Sequence, residues 1–440
     1  MIKSVANRKS VANRIRPGTP RKLSGLPIVL AVLVIGAVVA YNVLKRSPAR
    51  MDESGPVATS SGDSSPKHPP KPFTTPTREI RKELRERSGT AAPAPVETVA
   101  VSGGSPAAAQ VMGRLSQFDL SRGVLTRERA QELNQSFKQL AEQGAGAVPS
   151  IRQFLARNQD LSFKDVNGGN LADYPSLRQG LFDVLKQIGG PEAVALSRET
   201  LQVTADPMEI AMLARNLETL DPGQHREEAL NAAREALAQA ATATGQLGDV
   251  GPLFAVLQTY GDASVLADLE KTLPQWDYYA TMALAGLPDG IGLPTLIHQM
   301  QDPEHAGTAN NNFRFQILAQ LAGQYPEAGA ALLDQARLNQ ISDSGWRKIA
   351  IGLASDQYQL TNPLLNINYP PVATPGLKSY HIHSGNQNFF STPILESGSG
   401  EQIAQRVALI NQLLGATSNP TAVQSLNGAL ATLSAPKPTQ

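Results

Sequence analysis

The sequence predicts an all-α protein: a solenoid-like body of irregular helix pairs in series, held behind one transmembrane helix by a long Pro-rich tether. Three observations carry this expectation. From about residue 110 onward, apolar residues recur at helical spacing in segment after segment. Gly, Pro and Asp punctuate those segments at intervals of roughly 30 to 45 residues, as two-helix units in series require. Near the N-terminus, "LPIVLAVLVIGAVVAYNVL" (26–44) runs nineteen residues without a charge.

The first element is a basic leader, residues 1–24, with seven Lys or Arg and no acid. It contains the tandem hexapeptide "KSVANRKSVANR", which doubles the positive charge beside the apolar run. Residues 25–44 form the predicted signal anchor. At helical rise, nineteen residues span ~28 Å, close to the hydrocarbon thickness of a bilayer. A cleaved secretory signal is the competing reading, with Val38 and Ala40 as the small residues of a cleavage site. The apolar run continues past Ala40 to Lys45, which favours the uncleaved anchor. The excess of basic residues before the span places the N-terminus in the cytoplasm and everything after Leu44 outside it.

Residues 45–107 read as a disordered linker: ten prolines fall between 47 and 107 among Ser, Thr, Gly and Ala. Such a composition buries too little apolar surface to offset chain entropy. One island, "TREIRKELRER" (77–87), has the cap and i, i+4 pair of a short charged helix, or of a docking motif that folds on a partner.

The body is expected over 108–360. In "LRQGLFDVLKQIGG", Leu177, Leu181, Leu185 and Ile188 form one apolar stripe, Gly189 and Gly190 stop the helix, and Pro191 opens the next. In "ADPMEIAMLARNLETL", Asp206 is the cap, Pro207 lies in the first turn, and Ile210, Leu213, Leu217 and Leu220 are the stripe. Leu253, Leu257 and Tyr260 lie on a further helix, paired with Leu266, Leu269 and Leu273 across Gly261 and Asp262. Tyr279, Met282 and Ala283 pair in turn with Leu293, Leu296, Ile297 and Met300, and Ile317, Leu318 and Leu321 with Leu332, Leu333 and Ala336. Pro149 and Pro191 lie 42 residues apart, as do Pro252 and Pro294, whereas Pro294 and Pro326 lie 32 apart. A Pro/Asn-rich irregular insert follows at 361–400, then C-terminal helices at 401–433, near 401–415 and 420–433, and a tail at 434–440.

The phrases "LRQGLFDVLKQIGGPEAVALSRETLQVTADP" and "ATMALAGLPDGIGLPTLIHQMQDP" resemble HEAT repeats, an armadillo-like family of α-solenoids, over about residues 125–355. The resemblance implies an irregular HEAT-like solenoid that acts as an interaction surface, without naming a partner. Two departures stand out. The basic ladder of some armadillo-like subfamilies is absent, and "NQDLSFKDVNGGNLADY" interrupts one unit. A single irregular helical domain is the alternative.

Charge divides along the chain. Residues 1–50 hold ten basic and no acidic side chains, 51–107 seven of each, and 108–440 22 basic and 31 acidic. An acidic body repels phosphate backbones, so nucleic acid is not expected as a partner. The chain has no cysteine, which excludes disulfides, thiolate metal sites and Cys nucleophiles.

Catalytic patterns are sparse. HExxH, GxSxG and P-loop motifs are absent, and "GSGEQIA" fails the dinucleotide fingerprint because Ile403 occupies the third glycine position. His381 and His383 in "SYHIHSGNQNFF" are a weak metal-ligand pair without a nearby carboxylate, read rather as a solvated loop or edge strand. His298, His305, Asp302 and Glu304 in "HQMQDPEH" fit an inter-repeat turn, which Pro303 enforces. No cofactor is expected. "GTANNNFRFQ" places Asn310, Asn311 and Asn312 beside Arg314, either as a contact surface or as helix caps. The 364–400 stretch is the first place to look for a partner-binding loop, with a flexible excursion before the last helices as the alternative. The candidate partner surface is therefore Asn311, Arg314, Tyr380, Phe389 and Phe390. These features lead to the expectation of a single-pass, membrane-anchored scaffold or adaptor that binds a protein or cell-envelope component on the extracytoplasmic side. An extracytoplasmic enzyme or ligand-binding protein with an unrecognised site is the second reading.

Overall fold

Eight of the sixteen α-helices among the described residues start where a short polar side chain caps the first turn. The computed structural model describes residues 103–435 apart from 121–122, 164–165, 244–248, 357–358, 361–379, 385–386 and 392–393, and gives the backbone alone at 359–360, 380–384 and 387–391. The basic leader, the predicted anchor at 25–44 and the linker up to residue 102 lie outside the described residues. No helix among the described residues is long and apolar enough to cross a membrane.

The described residues are all-helical but for one small sheet. Ser105 caps α1 (Pro106–Ser116), and Thr126 caps α2 (Arg127–Glu142). After α3 (Val148–Leu155), Ser176 caps α4 (Leu177–Ile188), which Gly189 and Gly190 end at φ 66° and 76°, a backbone that favours glycine. Pro191 then sits in the first turn of α5 (Gly190–Leu201). Asp206 caps α6 (Pro207–Leu220), with its Oδ1 2.9 Å from the Glu209 amide. There follow α7 (Arg226–Thr242), α8 (Gly251–Tyr260) and α9 (Leu266–Gly286). Trp276, at φ −133° and ψ 51° just after Pro274, breaks α9 into two limbs. Next come α10 (Leu293–Gln301), α11 (Ala309–Leu321), α12 (Pro326–Arg337) and α13 (Asp343–Ala354). The C-terminal part holds α14 (Ile394–Ser397), α15 (Gly400–Ala416) and α16 (Pro420–Leu433). The "SGSGEQ" stretch is the start of α15: Ser399 and Gln402 form a reciprocal capping box there.

At the boundary of the stretch expected to be irregular and within it, short strands form an antiparallel sheet. These are β1 (Gln359–Leu360), β2 (Tyr380–Ser384) and β3 (Gln387–Ser391), in the order β1-β3-β2.

Consecutive helices alternate between two layers. The first layer holds α1, α3, α5, α7, the first limb of α9, α10, α12 and α15; the second holds α2, α4, α6, α8, the second limb of α9, α11, α13 and α16. Helices pack on sequence neighbours, as α1 on α2, α5 on α6 and α7 on α8, and on the next helix of their own layer: α2 on α4, α4 on α6, α6 on α8, α11 on α13, α13 on α16. Ring contacts carry the second layer across the break in α9, with Phe254 stacked on Tyr279 at 5.5 Å and Tyr278 against Phe313 at 4.6 Å.

Polar bonds link the same neighbours. In the first layer Arg152 pairs with Glu199, Arg198 Nη2 reaches Glu228 at 2.6 Å, Arg234 Nε reaches Asp268 at 2.7 Å, and Thr295 donates to Glu270 at 2.7 Å. In the second layer the ties are buried. Arg178 grips Glu209 through two bonds of 2.5 and 2.9 Å, and Asn216 donates to the Phe182 carbonyl at 3.0 Å. Arg406 of α15 is a third kind of tie. Its guanidinium donates to the carbonyls of Gly352, Leu353, Ser355 and Gln320, which satisfies the C-terminal ends of α11 and α13. Burial pushes that guanidinium down to about 10.

Candidate functional site

The structure corrects part of the expected partner surface. Asn311 and Arg314 are only 3% and 1% exposed. They lie within α11, a helix flanked by α9, α10, α12 and α13 and buried along nearly its whole circumference. Arg314 Nη2 bonds Asp277 Oδ2, and Asn311 Nδ2 donates to the Met300 carbonyl at 3.2 Å, so both side chains tie neighbouring helices. Burial raises Asp277 above the usual carboxylate range against the pull of Arg314, and it lowers Arg314. The asparagines are not caps either: Thr308 caps α11, with its Oγ1 3.2 Å from the Asn311 amide.

Tyr380, His381 and His383 fall on β2, and Phe389 and Phe390 on β3, where His381 pairs with Phe390, Ile382 with Phe389 and His383 with Asn388. In the "HQMQDPEH" stretch, Asp302 caps a short turn at the Glu304 amide, 2.9 Å away, and lies 3.8 Å from His305 Nε2. Among the described residues no three His, Asp or Glu side chains converge as a metal site requires.

The structure assembles a different cluster, on the second layer. Tyr174, from the segment just before α4, lies edge-on to Phe137 of α2 at 5.3 Å and donates its hydroxyl to Asp183 of α4 at 2.5 Å. Asp183 also accepts from Gln187 at 2.7 Å and lies 3.3 Å from Lys186. Burial would raise the Asp183 carboxyl, but these donors outweigh it and hold the group below the usual range. The Tyr174 phenol is raised, by burial first and by Asp183 second. Arg215 of α6 comes next: burial lowers its guanidinium, opposed by the attraction of Asp183, Tyr260 and Tyr174. Tyr260, at the end of α8, is pushed up to about 12 by burial, with Glu218 adding to the shift. Glu218 is held low by Arg226, whose Nε lies 3.1 Å from its Oε2, and it also accepts from the Gly223 amide at 3.1 Å.

The result is a half-buried row, Tyr174–Asp183–Arg215–Tyr260–Glu218, crossing three successive helices of one layer. Its phenols are neutral at physiological pH, so it offers donors, acceptors and two aromatic faces. Sequence reading places Tyr260 on the apolar stripe of its helix and gives no weight to Asp183. Tyr260 joins the row through Arg215 and Glu218, about 40 to 45 positions away, and Asp183 reaches Arg215 about 30 positions on, both beyond any local motif.

A groove of about 560 Å³ lies between α1 and α2 at the N-terminal end of the layers, lined by Arg114, Phe118, Arg129, Glu132, Ser136 and Gln139. Arg129 lies over the Phe118 ring at 4.5 Å, and Arg114 donates to Gln139 at 3.0 Å.

No family model, curated protein or solved structure matches the chain.

Proposed function

We propose that the chain is a HEAT-like α-solenoid that serves as an interaction scaffold or adaptor, anchored by a single pass at 25–44 with its helical body on the extracytoplasmic side. The observation that carries this reading is the alternation of helices between two layers, with successive helices of a layer packed on one another. Stacking of this kind leaves a surface that many successive units share. The Tyr174–Asp183–Arg215–Tyr260–Glu218 row lies on that surface and combines aromatic faces with fixed charges, the composition that interfaces favour. The partner is a protein or an envelope component. The acidic body argues against nucleic acid.

The test has two arms. Protease added to intact spheroplasts should remove the body and leave a small N-terminal remnant; a body protected until lysis would refute the orientation. A photo-crosslinking residue in place of Lys186 or Gln258 of the full-length protein should capture a macromolecule in membranes, and Arg215→Ala with Tyr260→Ala should abolish capture without loss of helicity. Capture unchanged in that double variant would remove the row from the binding surface.

A further inference from the structure

β2 and β3 pair antiparallel, with His381 opposite Phe390, His383 opposite Asn388 and Ser384 opposite Gln387. Alternate residues of a strand share a face, and so do residues directly opposite each other across a pair. His381, His383 and Asn388 therefore occupy one face of the sheet, while Gln387, next to Asn388 in sequence, occupies the other. Residues two apart on a strand are separated by roughly 7 Å, and directly opposed residues have Cβ atoms about 4.5–5.5 Å apart. A triangle of that size suits a metal ion held by imidazole nitrogens at about 2.0–2.1 Å, because the rings span the remaining distance. In the order β1-β3-β2, β2 is an edge strand, so the histidines lie at the rim of the sheet.

The composition of the two strands is compatible with a cation. Residues 379–395 contain no Asp, Glu, Lys or Arg, so no fixed positive charge on either strand opposes a metal ion. The chain has no cysteine, which leaves imidazole as its strongest donor for zinc or copper. Of its six histidines, only His381 and His383 are two positions apart. Metal binding here also has a consequence for the fold. β1 pairs with just two residues of β3, so the sheet is little more than a hairpin, and a hairpin is marginal in water. An ion held from β2 and β3 at once pins their register, and its binding energy becomes folding energy.

The geometry points to a metal site: the face shared by His381, His383 and Asn388 binds one divalent transition-metal ion of the class that prefers imidazole, zinc or copper. The two histidines are the principal donors, the Asn388 amide oxygen is a weaker third, and a position stays open for water. The sequence shows the histidine pair but not the third donor. Asn388 joins it only through the register of the hairpin.

The experiment uses the full-length protein in detergent, with zinc ion alone as the probe in equilibrium dialysis. One zinc per chain should bind, and His381→Ala and His383→Ala should each weaken binding at least about tenfold. Asn388→Asp, which sets a carboxylate in place of the amide, should tighten binding by about tenfold, whereas Gln387→Asp on the opposite face should leave it unchanged. The double variant His298→Ala with His305→Ala should bind zinc as the parent does. Hydrogen exchange at the amides of β2 and β3 should slow when zinc is added to the parent, and should not respond in His381→Ala with His383→Ala. Helicity should be the same throughout, because the face lies outside the helices. Absence of stoichiometric zinc, zinc retained without His381 and His383, or a gain from Asn388→Asp no larger than that from Gln387→Asp would each overturn the proposal.

Discussion

At the scale of the residue, the buried charges are the points of greatest sensitivity. Arg178 and Glu209 have side chains only 2% and 3% exposed, and Thr204 donates to the same carboxylate at 2.6 Å. Removing one partner strands the other without water, so Arg178→Ala should cost about 3–5 kcal/mol by urea unfolding. The double apolar replacement Arg178→Met with Glu209→Leu should come within about 1 kcal/mol of the parent or exceed it. Asp183 gives a pH signature. Its folded pKa lies below the unfolded value, so its contribution is complete above the unfolded pKa and is lost as pH falls through the folded one. Urea midpoints taken from about pH 5 down to pH 2 should fall less steeply for Asp183→Asn than for the parent, with the difference opening below about pH 4. Equal slopes would mean that the Tyr174 bond does not persist in solution.

At the scale of the element, helix ends follow local chemistry and helix spacing follows side-chain size. Gly352 lets α13 close on α11: a Cβ there would meet the Gln316 carbonyl at 2.3 Å. Gly352→Val should therefore destabilise by about 1–3 kcal/mol through overpacking, read as a lower melting temperature. Gly428 is its control, because its outward side is open. Gly428→Ala in the helix interior should be neutral or stabilising by up to about 1 kcal/mol. The break in α9 belongs to this scale too. Pro274 cannot donate a backbone hydrogen bond, and the turn at Trp276 passes the chain from one layer to the other without a loop.

At the scale of the molecule, contacts run between near neighbours in the stack, and stability should be correspondingly local. Leu213, fully buried in α6, is the probe. Leu213→Ala should cost about 2–5 kcal/mol through lost burial and a cavity. Hydrogen exchange should quicken in α4 to α8 while α11 to α16 keep their protection. A uniform loss of protection from α1 to α16 would show a single cooperative unit instead of a sum of units.

The sequence by itself determined the helices: Asp206 marks a start, Gly189 and Gly190 mark an end, and the stripes of Leu177, Leu181 and Leu185 or Ile210, Leu213 and Leu217 mark the faces that are buried. These signals act within one or two turns, so neighbouring residues contain them in full. Only the tertiary structure decided what happens to the opposite face of each helix. Arg314 and Asn311 look like surface residues beside a cap, yet α9, α10 and α13 close over them, and whether a polar face is covered depends on helices 10 to 40 residues away. The Tyr174–Asp183–Arg215–Tyr260 row has the same origin. It exists because next-but-one helices lie side by side in one layer, and periodicity along a single helix carries no record of which helix lies beside it.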